Sequence, residues 1–271
     1  MSPALPASLV LVGAGKMGGA MLDGWLAAGL EPARVTVVDP GLPPEAAAAW
    51  AARGVRLDPA GIGEPEAVVL AVKPQGLDAA AGAVAPLAGS GTLVVSVLAG
   101  KTIADLKARL PRARAVVRAM PNLPASIGRG ATGAVASPEV SEDQRRTADA
   151  LLSANGLVEW VADEGLIDAV TAVSGSGPAY VFLLAETLAE AGVAAGLPPE
   201  TAARLARQTV AGAGELLGRS EAEAAELRRN VTSPGGTTAA ALGVLMAGDG
   251  LAPLMREAVA AAQRRARELA G

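Results

Sequence analysis

Three short stretches of this chain carry residue types and spacings that can do chemistry. The first is Gly13-Ala14-Gly15-Lys16-Met17-Gly18, directly after the apolar run from Leu9 to Val12. In a G-x-G-x-x-G turn between a strand and a helix, the first glycine makes the bend and the second lets the backbone approach a pyrophosphate. The third allows helix and strand to pack closely, and the free N–H groups of the helix start face the anion. That arrangement binds a dinucleotide; a Walker A loop is excluded because no Gly-Lys-Ser/Thr follows. The second stretch, AVKPQ from Ala71 to Gln75, sets Val72 and Lys73 at the end of another β-rich run, at the sheet edge where ligands bind in such folds. The third is Ser233-Pro234-Gly235-Gly236-Thr237-Thr238, before an alanine-rich segment. A Pro-Gly-Gly turn can present consecutive N–H groups at a helix start, with Thr237 or Thr238 as N-cap, and such a terminus suits a carboxylate. By spacing alone, an ordinary helix cap after a turn explains the same residues.

Asp39 ends the second β-rich run, about 20 residues past the fingerprint, where a carboxylate meets the adenosine ribose. It accepts from a 2′-hydroxyl and repels a 2′-phosphate, so it favours NADH over NADPH. Arg34, Arg53 and Arg56 remain within sequence reach of the same pocket, and Asp also ends strands for turn reasons.

What is missing narrows the reaction. The chain has 0 Cys and 0 His, which excludes thiolate nucleophiles, a Ser-His-Asp triad and the common zinc sites, so no metal is expected. Redox chemistry at an alcohol carbon normally recruits His, Lys or Tyr as acid and base. Every lysine (Lys16, Lys73, Lys101, Lys107) lies in the first half, and the single Tyr, Tyr180, lacks the Y-x-x-x-K partner. Reducing a C=N bond asks less of the protein. A protonated imine is already electrophilic, so holding it against a nicotinamide with a hydroxyl at nitrogen suffices. A net charge of −4, with three Trp, one Tyr and one Phe, gives neither a basic field nor many stacking platforms, so no nucleic-acid partner is expected. No basic residue precedes Lys16 and no apolar run reaches about 18 residues, which reads as a cytoplasmic protein without a membrane partner.

These residues need elements to hold them. From Leu9 to Val161, β-rich runs (LVLVGAG, RVTVVDP, AVVLAVKPQ, TLVVSVLAG, ARAVVRAMPN, GATGAVAS, LVEWVA) alternate with helix-like segments, which predicts buried parallel strands with crossover helices. After Glu164 the pattern is helical: Leu166 to Ala195 interrupted by SGSGP, then Pro199 to Leu217, Ser220 to Arg229, Thr238 to Ala247 and Leu251 to Ala270. Ser220 followed by Glu223 fits a capping box, and Gly196-Leu197-Pro198-Pro199 supplies a stop and a restart. The expected class is α/β, with an N-terminal Rossmann-type doubly wound sheet over 1–164 and an all-helical domain over 165–271. The apolar composition of the second half suits pairing with another copy of the chain.

GAGKMG, AVKPQ, RAMPNLPASIGRGAT (Arg118 to Thr132), AVSGSGPAYVF (Ala172 to Phe182) and NVTSPGGTTAAAL (Asn230 to Leu242) together resemble pyrroline-5-carboxylate reductase, in order and spacing, over essentially the whole chain. The resemblance implies NADPH- or NADH-dependent reduction of 1-pyrroline-5-carboxylate to L-proline, the last step of proline synthesis. It also implies a homodimer whose helical domains interlock, with higher assemblies in some members. By that similarity Gly236, Thr237 and Thr238 bind the substrate carboxylate, and the Thr238 hydroxyl meets the ring nitrogen as the catalytic group. Glu221 matches a position approaching that nitrogen from the dimer side, although a cap carboxylate explains it equally well. Val12, Gly13, Ala14, Gly15, Lys16, Met17, Gly18, Val72, Lys73 and Ala99 match cofactor contacts. Two departures stand out: Leu123 replaces the Thr of the usual MPNTP, and Asp39 stands where many members carry Ser or Thr for a 2′-phosphate. Two competing readings are a reductase of hydroxyacids and a dinucleotide-binding sensor without turnover.

Overall fold

Short apolar runs punctuated by Gly, Pro and Asp become strands because they are too short for a buried helix and rich in β-branched residues. The computed structural model describes residues 5–59 and 61–270, and the strands among them are β1 (Leu9–Val12), β2 (Val35–Val38), β3 (Arg56–Leu57), β4 (Ala67–Leu70), β5 (Leu93–Ser96), β6 (Val116–Met120), β7 (Gly130–Ala136) and β8 (Gly156–Trp160). They form one sheet in the order β3-β2-β1-β4-β5-β6-β7-β8. The order runs one way from β1 to β3 and the other way from β4, so the reversal lies between β1 and β4, where such sheets open a crevice at the strands' carboxyl ends.

All pairs from β3 to β6 are parallel, as expected. β7 departs from the expectation: it lies antiparallel to β6, and β8 then runs parallel to β7. The reason is the connection. Only a short 3₁₀ turn, Leu123–Ile127, separates β6 from β7, whereas a parallel return needs a crossover of about a dozen residues or more. β3 was not expected, and with two residues it carries no periodicity to read.

Flanking helices are α1 (Lys16–Ala27), α2 (Pro44–Ala52), α3 (Leu77–Val84), α4 (Ile103–Arg109) and α5 (Glu142–Ser153). Side chains alternate across each strand. Leu9 and Leu11 therefore join Trp25, Val35 and Leu151 in one core, while Val10 and Val12 join Val68, Leu70 and Leu106 in the other. Trp25, fully buried, donates from Nε1 to the Leu151 carbonyl at 2.7 Å and ties α1 to α5.

The chain divides into two compact units: the residues up to Gly175 together with those from Gln263, and Ser176–Ala262. This packing division falls later than residue 164, because α6 (Ile167–Val170) belongs with the sheet. Ile167 is buried, and a Cβ on Gly133 of β7 would meet Val170 at 2.6 Å. The expected SGSGP interruption begins in a π-helical turn, Thr171–Gly175, and its Gly177-Pro178 already opens the next helix. In the first unit, the tail from Gln263 brings Arg267 to 3.9 Å from Asp168 and lays the Leu269 carbonyl against Gly100.

The second unit holds α7 (Gly177–Ala194), α8 (Pro199–Arg219), α9 (Ala224–Asn230), α10 (Thr237–Leu245) and the start of α11 (Leu251–Ala270). Gly196, at φ +99°, ends the first arm of the α7–α8 hairpin and Pro199 opens the second, as the sequence implies. The capping box at Ser220 does not form. Glu223 is the N-cap of α9 and makes no side-chain cap bond, while Ser220 Oγ accepts the Ala222 N–H at 3.1 Å and closes a local turn instead. α7 buries no side chain within the single chain; Phe182, Leu183 and Leu184 are all more than half exposed.

Candidate cofactor and substrate sites

The crevice at the β1/β4 reversal is built around the glycine turn. Gly13 sits at φ +87°, and its N–H donates to the Val38 carbonyl at 2.9 Å. A Cβ there would lie 2.7 Å from the Val72 nitrogen, so only glycine lets the turn lie against the end of β4. A Cβ on Gly18 would meet the Gly13 carbonyl oxygen at 2.1 Å, the close helix–strand approach the fingerprint requires. Gly15 differs: a Cβ there would meet nothing within 4 Å, and the residue is exposed. The space in front of Gly15 is open, and no side chain caps the start of α1. Its first N–H groups, which a helix cannot satisfy itself, are therefore available to an anion. A pyrophosphate fits these residues.

Around this turn the structure gathers most of the sequence-predicted cofactor residues. Val12 accepts from the Ala71 N–H at 2.8 Å, which brings the AVKPQ segment, with Val72 and Lys73, beside β1. Lys16 and Lys73 are exposed, and so is Ala99, beyond the end of β5. Asp39 is bonded directly to the glycine turn: its Oδ2 accepts the Ala14 N–H at 2.8 Å and its Oδ1 the Gly41 N–H at 2.9 Å. Two of the three arginines considered for a 2′-phosphate are engaged with acids elsewhere, Arg34 with Glu31 at 3.2 Å and Arg53 with Asp23 at 2.7 Å.

Three side chains in this unit were not singled out from the sequence. Asp58 Oδ1 accepts the Asp39 N–H at 3.1 Å. Asn122 staples the turn after β6, accepting the Ala131 N–H at 2.9 Å and donating to the Ser174 carbonyl at 3.0 Å. Glu164 Oε1 accepts both from the buried Arg118 at 3.0 Å and from the first N–H of α4, Ile103, at 2.8 Å. An arginine within the apolar VVRAM run is the one sequence signal that pointed here, because a buried guanidinium demands a carboxylate partner.

In the second unit the SPGGTT turn forms a helix start of the expected kind with a different cap. Gly235 is at φ +70°, and the Gly236 N–H donates to the Ser233 carbonyl at 3.1 Å. A Cβ on Gly236 would lie 2.5 Å from Ser233 Oγ. Gly236, extended at φ −80° and ψ 171°, is the N-cap of α10, in place of Thr237 or Thr238. The turn consumes the first threonine as a helical residue, so neither hydroxyl caps the helix and both are free to serve a ligand. Glu221 is exposed on the approach to α9.

The comparisons agree with this geometry. Residues 164–269 match a family model described as pyrroline-5-carboxylate reductase dimerisation, and residues 8–100 match one described as NADP oxidoreductase, coenzyme F420-dependent. The pyrroline-5-carboxylate reductase of Pseudomonas aeruginosa is 44% identical over 97% of this chain and 96% of its own. That of Glycine max is 38% identical over 98% and 97%. Among solved structures, a pyrroline-5-carboxylate reductase from Coxiella burnetii superposes with a TM-score of 0.90 at 37% identity, covering 98% of this chain and 99% of the other. A Plasmodium falciparum pyrroline carboxylate reductase with NADP bound gives 0.79 at 25%, covering 99% and 100%. The helical run 164–194 is long and apolar enough to cross a membrane by length and composition, contrary to the sequence expectation; it falls inside the dimerisation match.

Proposed function

The chain belongs to the pyrroline-5-carboxylate reductase family, and from that premise we infer how its two sites divide the work. The reaction is reduction of pyrroline-5-carboxylate to proline, an NAD(P)-dependent oxidoreduction in proline biosynthesis. We assign dinucleotide binding to 1–164 and substrate binding with dimerisation to 165–271, a functional division distinct from the packing one. Gly13, Ala14, Gly15, Lys16, Met17 and Gly18 bind the pyrophosphate, with Val12, Val72, Lys73 and Ala99 along the crevice. Asp39, held by the Ala14 N–H, takes the adenosine ribose. With Arg34 and Arg53 committed elsewhere, NADH is the preferred cofactor.

When bound, the reduced nicotinamide supplies the hydride for the imine carbon C5. The protein's task is to hold and orient the ring. Gly236, Thr237 and Thr238 form the carboxylate site: Gly236, its own N–H closed on the Ser233 carbonyl, holds the turn, and the N–H groups of Thr237 and Thr238 bind the carboxylate, the helix dipole adding to their hydrogen bonds. The Thr238 hydroxyl donates or accepts at the ring nitrogen, whose proton comes from solvent, and Glu221 approaches from the second copy of a homodimer. The cytoplasm is the compartment we assign. The observation that carries the reading is the α10 start: an extended glycine cap, unused hydroxyls and open N–H groups.

Initial rates of NADH and NADPH oxidation at 340 nm with racemic pyrroline-5-carboxylate test it. Turnover with the cyclic imine and none with hydroxyacids is expected; cofactor binding without turnover leaves a sensor as the reading. Thr238→Ala is expected to lower kcat while leaving cofactor affinity and fold intact. Unchanged kcat removes Thr238 from the mechanism.

A further inference from the structure

Asp39 is not the only carboxylate at the end of β2. Asp58, just past β3, is the single non-glycine residue at positive φ among the described residues, at +39°. Its N–H donates to the Val37 carbonyl at 2.8 Å, prolonging the β2–β3 pairing by one step, and its Oδ1 accepts the Asp39 N–H at 3.1 Å. Left-handed backbone is tolerated by Asp because its short side chain bonds locally, and here that bond points the carboxylate at the carboxyl end of β2. The Asp39 carboxylate is itself fixed by the Ala14 and Gly41 N–H groups. Two anions therefore flank the strand end that meets the glycine turn. Among the described residues no basic side chain forms an ion pair with either; Arg34 and Arg53 face Glu31 and Asp23.

We propose that Asp58 is a second specificity-determining residue for the cofactor, acting with Asp39 as a two-carboxylate wall that disfavours a 2′-phosphate and leaves a 2′-hydroxyl unpenalised. The proposal rests on the reading that the glycine turn holds NAD(P)H with its adenosine ribose at Asp39. Both acids are in reach of solvent, so the repulsion is partly screened by water and fades with salt.

The test separates charge from turn geometry. Asp58→Asn keeps an Oδ1 acceptor for the Asp39 N–H and tolerates the left-handed backbone, but removes the charge. Dissociation constants for NADPH and NADH are measured by titration calorimetry on the folded parent, Asp58→Asn and Asp39→Asn, at about 50 mM and about 500 mM salt. Asp58→Asn is expected to shift the NADPH:NADH affinity ratio about three- to tenfold toward NADPH at low salt, less at high salt, with NADH affinity and thermal midpoint unchanged. An unchanged ratio in Asp58→Asn alongside a raised one in Asp39→Asn overturns the proposal and leaves Asp58 as a turn residue. Because the readout is binding, it stands apart from imine turnover. Absence of turnover with a shifted ratio would sink the reductase reading and keep the wall.

Discussion

Replacing Gly18 by Ala tests the cofactor site where geometry is most exacting. The added Cβ would stand 2.1 Å from the Gly13 carbonyl oxygen, and ordinary contact begins at 3.4 Å, so turn and helix must part by about 1.3 Å. Neither side can yield cheaply, because the atom struck is backbone, itself pinned by the Gly13 N–H to Val38. A displacement of that size takes the N–H groups of the turn out of hydrogen-bond range of a pyrophosphate. Each bond to a charged group is worth about 1.5–3 kcal/mol, and losing two costs ~3–6 kcal/mol, or roughly 10²- to 10⁴-fold in Kd. Gly15→Ala is the companion. Its Cβ meets no protein atom within 4 Å, so the free protein should melt as the parent does while the methyl occupies the ligand's approach. The assay is NADH titration calorimetry with circular dichroism melts on both variants. Gly18→Ala is expected to lose affinity and stability together, Gly15→Ala affinity alone. NADH binding by Gly18→Ala within about threefold of the parent, at an unchanged melting midpoint, would refute the reasoning.

Other perturbations follow from the same contacts. Glu164→Ala strands Arg118, whose side chain is only 5% exposed. Losing one member of a buried pair costs about 3–5 kcal/mol, and the partial exposure of Glu164 brings the expectation nearer ~2 kcal/mol in urea denaturation. Glu164→Gln, which keeps an acceptor for the Ile103 N–H, should lose less. Acid titration should also expose paired carboxylates. The hydrogen bond from Lys107 pulls Glu139 down to about 2, Arg109 lowers Asp78, and the Thr102 backbone N–H lowers Asp105. These folded-state values lie below the unfolded ones, so the stability they contribute is whole above about pH 4–5 and drains as pH falls toward 2. Melting midpoints across that range should drop, and less steeply in Glu139→Gln. Leu184→Glu, placed on the exposed apolar face of α7, should convert the assembly to monomer in light scattering.

Much of the fold could be read from local pattern because each parallel strand is buried on both faces and so appears as an unbroken apolar run, Leu9–Val12 or Ala67–Leu70. Direction is a different kind of information. β7 reads like the others, and only the shortness of the Leu123–Ile127 link decides that it runs backwards. The shape of the glycine turn and the place of Asp39 at the end of β2 were legible because both are set within a few bonds of their own backbone. Asp58 was not, since its meaning comes from register: it matters because β3 pairs with β2 and brings its end to Asp39. Ser220 shows the converse. Its spacing to Glu223 matches a capping box, yet its hydroxyl is taken by the nearer Ala222 N–H, a competition that a spacing rule does not weigh.

The last turns of α11 belong to the same unit as the first strand, with the Leu269 carbonyl packed on Gly100 in the segment that carries Ala99. During synthesis, every strand of the sheet has been made by Trp160. The loop after β5 nonetheless takes a contact from Leu269, which follows every one of those strands in the chain. The sheet is thus encoded early and the cover of this loop late, and a chain halted before Leu269 would carry the glycine fingerprint without the contact on Gly100.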